Sequence, residues 1–363
     1  MKEKILHALS QVDDPDLKKD IVTLGMVQDL TIENKKVSFR LVLTTPACPL
    51  KDVIKNACIT AIRHMVDQSL EVEIIFDSRV TTPKYGNKPQ HGGIKNIIAV
   101  ASGKGGVGKS TVAVNLAIAM AQTGAKVGLL DADIYGPSLP TMLGLRNVRP
   151  TVVQNGEKVT IMPYEKFGIK AMSIGLLIDE KQALIWRGPM ITSALKQLMN
   201  DVAWDKLDYL FVDMPPGTGD IYLTLMQNFP VTGAVIVTTP QQVAIADTKK
   251  SIEMFRIPAI NVPVLGIIEN MSYFTPAELP ANKYFIFGKG GGEELASTYG
   301  LQILANLPLI GNLAEEADNG LPAVLSDNPL IQTEFIQLAQ KVAQHISMVN
   351  NKGPGSENRE SRI

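Results

Sequence analysis

The rhythm of hydrophobic and polar positions changes near residue 94 of this 363-residue chain. Before that point the apolar positions come in short, mixed runs. Glu3–Ser10 has helical spacing and leads into an acidic loop, Asp13-Asp14-Pro15-Asp16. Two runs, Val27–Ile32 and Val37–Leu43, predict strands joined by a turn through Glu33-Asn34-Lys35. A helix is expected from about Leu50, and Leu70–Phe76 reads as a returning strand. Strands and helices grouped in this way predict a small α+β domain over residues 1–80. Residues 81–93, TTPKYGNKPQHGG, carry Pro, Gly and polar residues without periodicity and read as a linker.

From Ile94 onward, apolar strands alternate with helices. Strands are predicted at Asn96–Ala101, Lys126–Leu130, Tyr209–Val212, Ala234–Thr238 and Val264–Glu269. Ser110–Thr123 is a helix stopped by Gly124. Near-continuous apolar strands spaced by helices imply an α/β domain over 94–349, with a mostly parallel central sheet covered on both faces. Residues 350–363 are polar and read as a disordered tail. No apolar run approaches membrane-spanning length, and the charged N-terminus lacks a signal-peptide core. A cytoplasmic setting without a membrane partner is expected. Lys plus Arg number 35 against 36 acids, a net charge of −1, which argues against nucleic acid as a partner. The two cysteines, Cys48 and Cys58, provide no disulfide framework.

The chemistry-bearing motif is Gly103-Lys104-Gly105-Gly106-Val107-Gly108-Lys109-Ser110-Thr111, set between a predicted strand and a predicted helix. It has the spacing of a P-loop that takes a nucleoside triphosphate with magnesium. Glycines let backbone N–H groups face the phosphates, and the helix N-terminus adds positive partial charge. Lys109 is expected to reach the β- and γ-phosphates, and the Ser110 hydroxyl to ligate magnesium. Asp213, which ends the run Leu207–Val212, is placed as a Walker B acid and is expected to hold magnesium through water. The following loop, Pro215–Asp220, can turn a backbone amide toward the γ-phosphate. Asp131 and Asp133 close the second strand at the sheet edge where ligands sit. Asp131 can approach magnesium and Asp133 can orient the attacking water; the alternative is that both cap the next helix.

Lys104, an additional lysine after the first glycine, makes this loop resemble the deviant Walker A ATPases, which include MinD, ParA and the arsenite-pump ATPase. In that group the lysine is thought to reach the partner's nucleotide across a homodimer. Within the group the chain resembles the Mrp/ApbC iron–sulfur cluster carrier ATPases. The resemblance rests on Gly103–Thr111, Leu130-Asp131-Ala132-Asp133-Ile134-Tyr135-Gly136-Pro137-Ser138, Trp186-Arg187-Gly188-Pro189-Met190, Val212–Asp220 and Ile268-Glu269-Asn270-Met271-Ser272. Residues 1–80, around Leu43-Thr44-Thr45-Pro46-Ala47-Cys48-Pro49-Leu50, resemble the small domain of iron–sulfur assembly systems. The resemblance implies ATP as the nucleotide, slow hydrolysis, iron–sulfur apoproteins or assembly factors as partners, and Asn270 against the adenine. A strand-terminal turn is the simpler reading of Asn270.

Most members of that family place a Cys-x-x-Cys pair after the Glu-Asn-Met segment, where two protomers bridge a cluster. Here Tyr273–Gly288 contains no cysteine. Cluster iron takes thiolate ligands. Cys48, between Ala47 and Pro49 at the start of a helix, is a candidate iron–sulfur ligand whose thiolate the helix would stabilise, against a merely structural role. Cys58 belongs to the apolar set Val53, Ile54, Ala57, Cys58, Ala61, Ile62, Met65 and reads as core. His7, His64, His91 and His345 have no metal-ligand spacing. Three functions follow: an ATP-dependent cluster carrier, a partner-binding ATPase regulator without a cluster, and a MinD- or ParA-like positioning switch. The last requires a basic amphipathic helix or a DNA-binding face, and the C-terminal helical segment, about Leu330–Ile346, holds Lys341 as its only lysine or arginine.

Overall fold

A computed structural model describes residues 1–83, 91–156, 158–177, 188–276, 278–279 and 281–351. Residues 84–90 of the expected linker, residues 352–363 of the expected tail, and Trp186 and Arg187 lie outside that set. Contacts divide the chain into two units, Met1–Tyr85 with Ala343–Ile363, and Gly86–Val342. The second domain is expected to run to residue 349, but among the described residues Ala343–Asn351 belong to the first unit by their contacts.

The first unit contains helix α1 (Lys2–Leu9), short paired strands β1 (Asp13–Asp14) and β2 (Lys19–Asp20), then β3 (Val27–Glu33), β4 (Lys36–Leu43), α2 (Lys51–Met65) and β5 (Glu71–Ser78). β3 and β4 are antiparallel, and β4 and β5 run parallel through the crossover helix α2. Alternation along β4 sends Val37, Phe39, Leu41 and Leu43 inward. They meet Ile5 and Leu9 of α1 and Ile54, Cys58 and Ile62 of α2 in one core. The apolar stripe of α2 is narrower than its sequence implies. Val53 and Met65 are exposed, because only the row Ile54, Cys58, Ile62 faces the sheet. The β1–β2 pair, absent from the sequence reading, forms around Asp14, whose Oδ1 accepts from the Asp16 and Leu17 amides at 2.9 Å each. Gln344 donates to Asp16, and Asn350 Nδ2 donates to Thr81 O at 3.0 Å. Residues 350 and 351, expected to open the tail, instead complete the last helix.

The second unit is built on β6 (Asn96–Ala101), α3 (Lys109–Gln122), β7 (Val127–Asp131), α4 (Leu139–Met142), β8 (Val152–Asn155), β9 (Lys158–Ile161), β10 (Tyr164–Lys166) and β11 (Ile169–Ser173). It continues through α5 (Gly188–Asn200), β12 (Tyr209–Asp213), α6 (Asp220–Asn228), β13 (Val231–Thr238), α7 (Gln242–Arg256) and β14 (Val264–Glu269). It closes with α8 (Gly291–Tyr299), β15 (Ile303–Asn306), α9 (Leu313–Asp318) and α10 (Pro329–Asn351), whose last turns belong to the first unit. Among the described residues the main sheet has the order β10-β11-β7-β12-β6-β13-β14-β15, parallel except at the β10 edge. Every residue of β6, β7 and β12 is buried, as strands covered on both faces require. α3 is buried over Val112–Met120, so it is a central helix rather than an amphipathic surface one. The edge strands β10 and β15, and β11 beside β10, were not legible as strands in the sequence. No described helix is long and apolar enough to cross a membrane.

Candidate functional site

The sheet order brings the C-terminal ends of β7, β12 and β6 side by side. Asp213 of β12 is in register with Asp131 of β7 on one side and with Val100 of β6 on the other. The loop from β6 into α3 therefore opens directly above two carboxylates. Parallel strands place ligand sites at this edge.

Packing against other elements dictates the glycines of this loop. A Cβ on Gly103 would stand 2.3 Å from the backbone carbonyl carbon of Asp247 in α7. A Cβ on Gly108 would stand 2.2 Å from Asn270 Nδ2, and Gly108 caps α3 with φ at +79°. Lys104, Gly105 and Gly106 are exposed, Val107 is buried, and Ser110 and Thr111 are half-buried at the helix start. Ser102 Oγ donates to Lys104 O at 3.0 Å and helps shape the turn.

Lys109 is buried, and its ammonium pairs with Asp213 Oδ1 while lying 3.2 Å from Ser110 Oγ. Asp131 accepts from Ser173 Oγ at 3.0 Å, from the Asp133 amide at 3.0 Å and from the Leu139 amide at 3.3 Å. Burial, with the Asp213 charge beside it, pushes the Asp131 carboxyl up to about 7. Burial also pushes Asp213 up, against the pull of Lys109 and of the Ser110 hydroxyl. Two adjacent buried carboxyl groups, one paired with the Lys109 ammonium, strain to keep two negative charges, an arrangement that suits a divalent cation. Asp131 thus caps the backbone that follows it, one of the two alternatives left open for it, while standing in register beside Asp213. Asp133 is half-buried, and its Oδ1 accepts from the Gly136 amide at 3.3 Å, again a turn-capping contact.

Gly217 N–H of the loop after β12 donates to Ser102 O at 3.0 Å, which holds that loop beside the P-loop. Asn270 follows β14, and its Nδ2 donates to Val107 O at 2.9 Å. Its side chain stands at the P-loop backbone, and its own amide donates to Thr238 O at 2.8 Å. Glu269, beside it, was not singled out by sequence reasoning. It is a buried carboxylate bonded to Ser272 and to the first turn of α8. The signal available was a second Gly-Lys-Gly-Gly string, Gly288–Gly291, at the start of that helix.

Residues 93–346 match the family of NUBPL iron-transfer P-loop NTPases, and residues 2–74 match the iron-sulfur cluster assembly protein family. The chain belongs to the NUBPL iron-transfer P-loop NTPase family. It is 46% identical over 351 residues to an iron-sulfur cluster carrier protein of Synechocystis sp., covering 95% of this chain and 98% of that one. It is 42% identical over 359 residues to the iron-sulfur cluster carrier protein of Escherichia coli K12, covering 98% and 95% of the two chains. Among solved structures, a nucleotide-binding protein from Archaeoglobus fulgidus in complex with ADP superposes with a TM-score of 0.55 at 39% identity. That match covers 64% of this chain and 90% of the other.

The small domain holds the remaining candidate, Cys48, which is half-buried. The expectation of a stabilised thiolate is corrected by its surroundings. Burial pushes the thiol up and the charges of Asp14 and Asp16 add to it, while only the Leu50 amide pulls it down. Cys58 is fully buried in the core, and burial pushes its thiol up to about 12. Among the described residues no group of three or more His, Cys, Asp or Glu is arranged to hold a metal.

Proposed function

We propose that this P-loop NTPase binds ATP with magnesium at Gly103–Thr111, hydrolyses it slowly, and uses that cycle to serve iron–sulfur cluster delivery to apoproteins. The observation that carries the reading is the buried Lys109, set against Ser110, Asp213 and Asp131 beneath a loop that admits only glycine at Gly103 and Gly108. The residues fit a magnesium nucleotide: a hydroxyl and two carboxylates of raised proton affinity provide hard oxygen donors. Ser110, Asp213 and Asp131 would hold magnesium, which when bound neutralises phosphate charge. Lys109 leaves Asp213 for the β- and γ-phosphates, and the loop amides orient the triphosphate. Asp133 holds the attacking water, and Asn270 meets the adenine. Lys104, exposed at the rim, reaches the nucleotide of a second copy in a homodimer.

The iron–sulfur cluster is cargo in this reading. Tyr273–Gly288 provides no thiol, so Cys48 is the proposed contact, completed by ligands from a partner. The missing cysteine pair also favours a second reading, an ATP-dependent regulator of assembly partners that carries no cluster. Anaerobic reconstitution, followed by iron and sulfide content, separates the two. A cluster held by wild type and lost in Cys48→Ala supports carriage. Wild type that hydrolyses ATP and takes up no iron leaves the regulator. Absence of magnesium-dependent ATP hydrolysis overturns the enzymatic part of both.

A further inference from the structure

The Glu269 carboxylate holds both ends of the segment that joins β14 to α8. Oε1 accepts from Ser272 Oγ at 2.8 Å, and Oε2 accepts from the Gly292 N–H at 2.6 Å. The residue is only 4% exposed. A Cβ on Gly292 would lie 2.7 Å from Oε2, so this approach of helix to carboxylate requires glycine. The backbone reinforces the grip: the Leu307 amide donates to Glu269 O, and the Ser272 amide to Leu307 O, both at 2.9 Å. Between the two anchored ends, Phe274 and Tyr284 exchange backbone hydrogen bonds of 2.8 Å. The same segment exposes Leu279, Tyr284, Phe285 and Ile286.

Asn270 and Met271 separate Glu269 from Ser272. Asn270 bonds the P-loop at Val107 O, and Met271 turns the chain at φ +54°, with its Cε 3.6 Å from the position a Gly108 Cβ would take. Four consecutive residues thus touch the phosphate loop at their centre and close the 273–290 segment at their ends. Buried charge-assisted hydrogen bonds are short and directional, so a shift of Asn270 is passed on as a rigid displacement.

We propose that Glu269 is a positioning residue that couples nucleotide occupancy of the P-loop to the conformation of segment 273–290, a role that rests on the ATP reading above. A carboxylate that merely capped α8 would hold the segment equally with and without nucleotide. Movement of the P-loop backbone around a triphosphate reaches Asn270 first, then the Glu269–Ser272–Gly292 clamp, and through it the exposed apolar residues.

The test is amide hydrogen exchange of the full chain with and without saturating magnesium–ATP, for wild type, Glu269→Ala, Glu269→Gln and Ser272→Ala. A fluorescent-nucleotide titration is run on each. Wild type is expected to change exchange across 273–290 on ATP binding. In Glu269→Ala that change is lost while ATP still binds, and the Gly292 amide exchanges roughly tenfold faster or more. Glu269→Gln restores the change, because its carbonyl oxygen accepts from Gly292 N–H and its amide donates to Ser272 Oγ. Ser272→Ala removes the hydroxyl's contacts with Glu269 Oε1 and O and keeps the helix cap, so it diminishes the ATP-dependent change even if the Ala variant at 269 fails to fold. A full wild-type response in Glu269→Ala or in Ser272→Ala overturns the proposal, as does wild type that binds ATP with no change in the segment. Wild type that fails the nucleotide titration removes the ATP reading, and the coupling with it.

Discussion

Two stretches of the second unit share the string Gly-Lys-Gly-Gly at the entrance to a helix: Gly103–Gly106 before α3, and Gly288–Gly291 leading into α8. Their helix caps are alike too, with Gly108 at φ +79° and Gly290 at φ +80°. What surrounds them is opposite. α3 opens with Lys109 and Ser110 and has no acid in its first turn, and the acid below it, Asp213, bonds the lysine rather than the loop amides. α8 carries Glu293 and Glu294 in its first turn, and Glu269 already occupies the Gly292 amide. A helix N-terminus attracts anions only when its amides are free and its neighbours do not repel them. Glycine and lysine spacing alone therefore does not make a phosphate site. The charges brought in by other strands decide whether the helix end is open or already satisfied.

The largest effect that tests this contrast is on turnover. Lys109→Ala is expected to lower ATP hydrolysis roughly 10²- to 10³-fold, as loss of a single transition-state donor does. Lys289→Ala, whose ammonium stands 4.8 Å from the Phe285 ring centroid, is expected to change it less than about twofold. Comparable losses in steady-state assays would break the contrast.

Next come the glycines. Gly108→Ala and Gly292→Ala are each expected to cost about 1–3 kcal/mol of stability by overpacking, measured by denaturant unfolding. Only Gly108→Ala should abolish nucleotide binding in a titration, because its Cβ displaces Asn270 from the loop. Loss of binding in Gly292→Ala would place nucleotide-contacting geometry in the second string as well.

A smaller effect is on pH dependence. The folded Asp131 carboxyl is raised from 3.8 to about 7, so between those values the folded chain holds a proton that the unfolded chain has released. Its contribution to stability is full below pH 3.8 and is lost as pH rises toward 7. Asp131→Asn should remove that component of the fall in nucleotide-free protein; an unchanged slope in thermal unfolding would show that Asp131 does not supply it. Smallest is the difference between the thiols. Cys48 should alkylate slowly at pH 7 and faster as pH rises, whereas native Cys58 should stay unmodified until the chain unfolds. Equal labelling by mass spectrometry would contradict the burial of Cys58.

Much of the fold was legible because its signals are local. β6 and β14 run over Asn96–Ala101 and Val264–Glu269 as their apolar composition predicts, and α3 begins within one residue of the expected start. The P-loop was legible for the same reason, since a phosphate cradle is written in consecutive residues. Edge strands such as β10 and β15 were not, because a short strand with one neighbour needs little apolar content. The α2 stripe is narrower than its periodicity predicts, because periodicity does not tell which apolar side chains the sheet has room to cover.

From its sequence alone this protein was determined to be a P-loop NTPase with a small α+β domain ahead of a parallel sheet, and with no cysteine over Tyr273–Gly288. Tertiary structure decided the rest: the Lys109–Asp213 pair, the two adjoining carboxylates, the neutral Cys48 thiol and the Glu269 clamp. The reason is distance along the chain. Backbone periodicity and glycine turns are set by near neighbours, whereas burial and charge at a site are set by strands a hundred residues apart that meet only when the sheet forms.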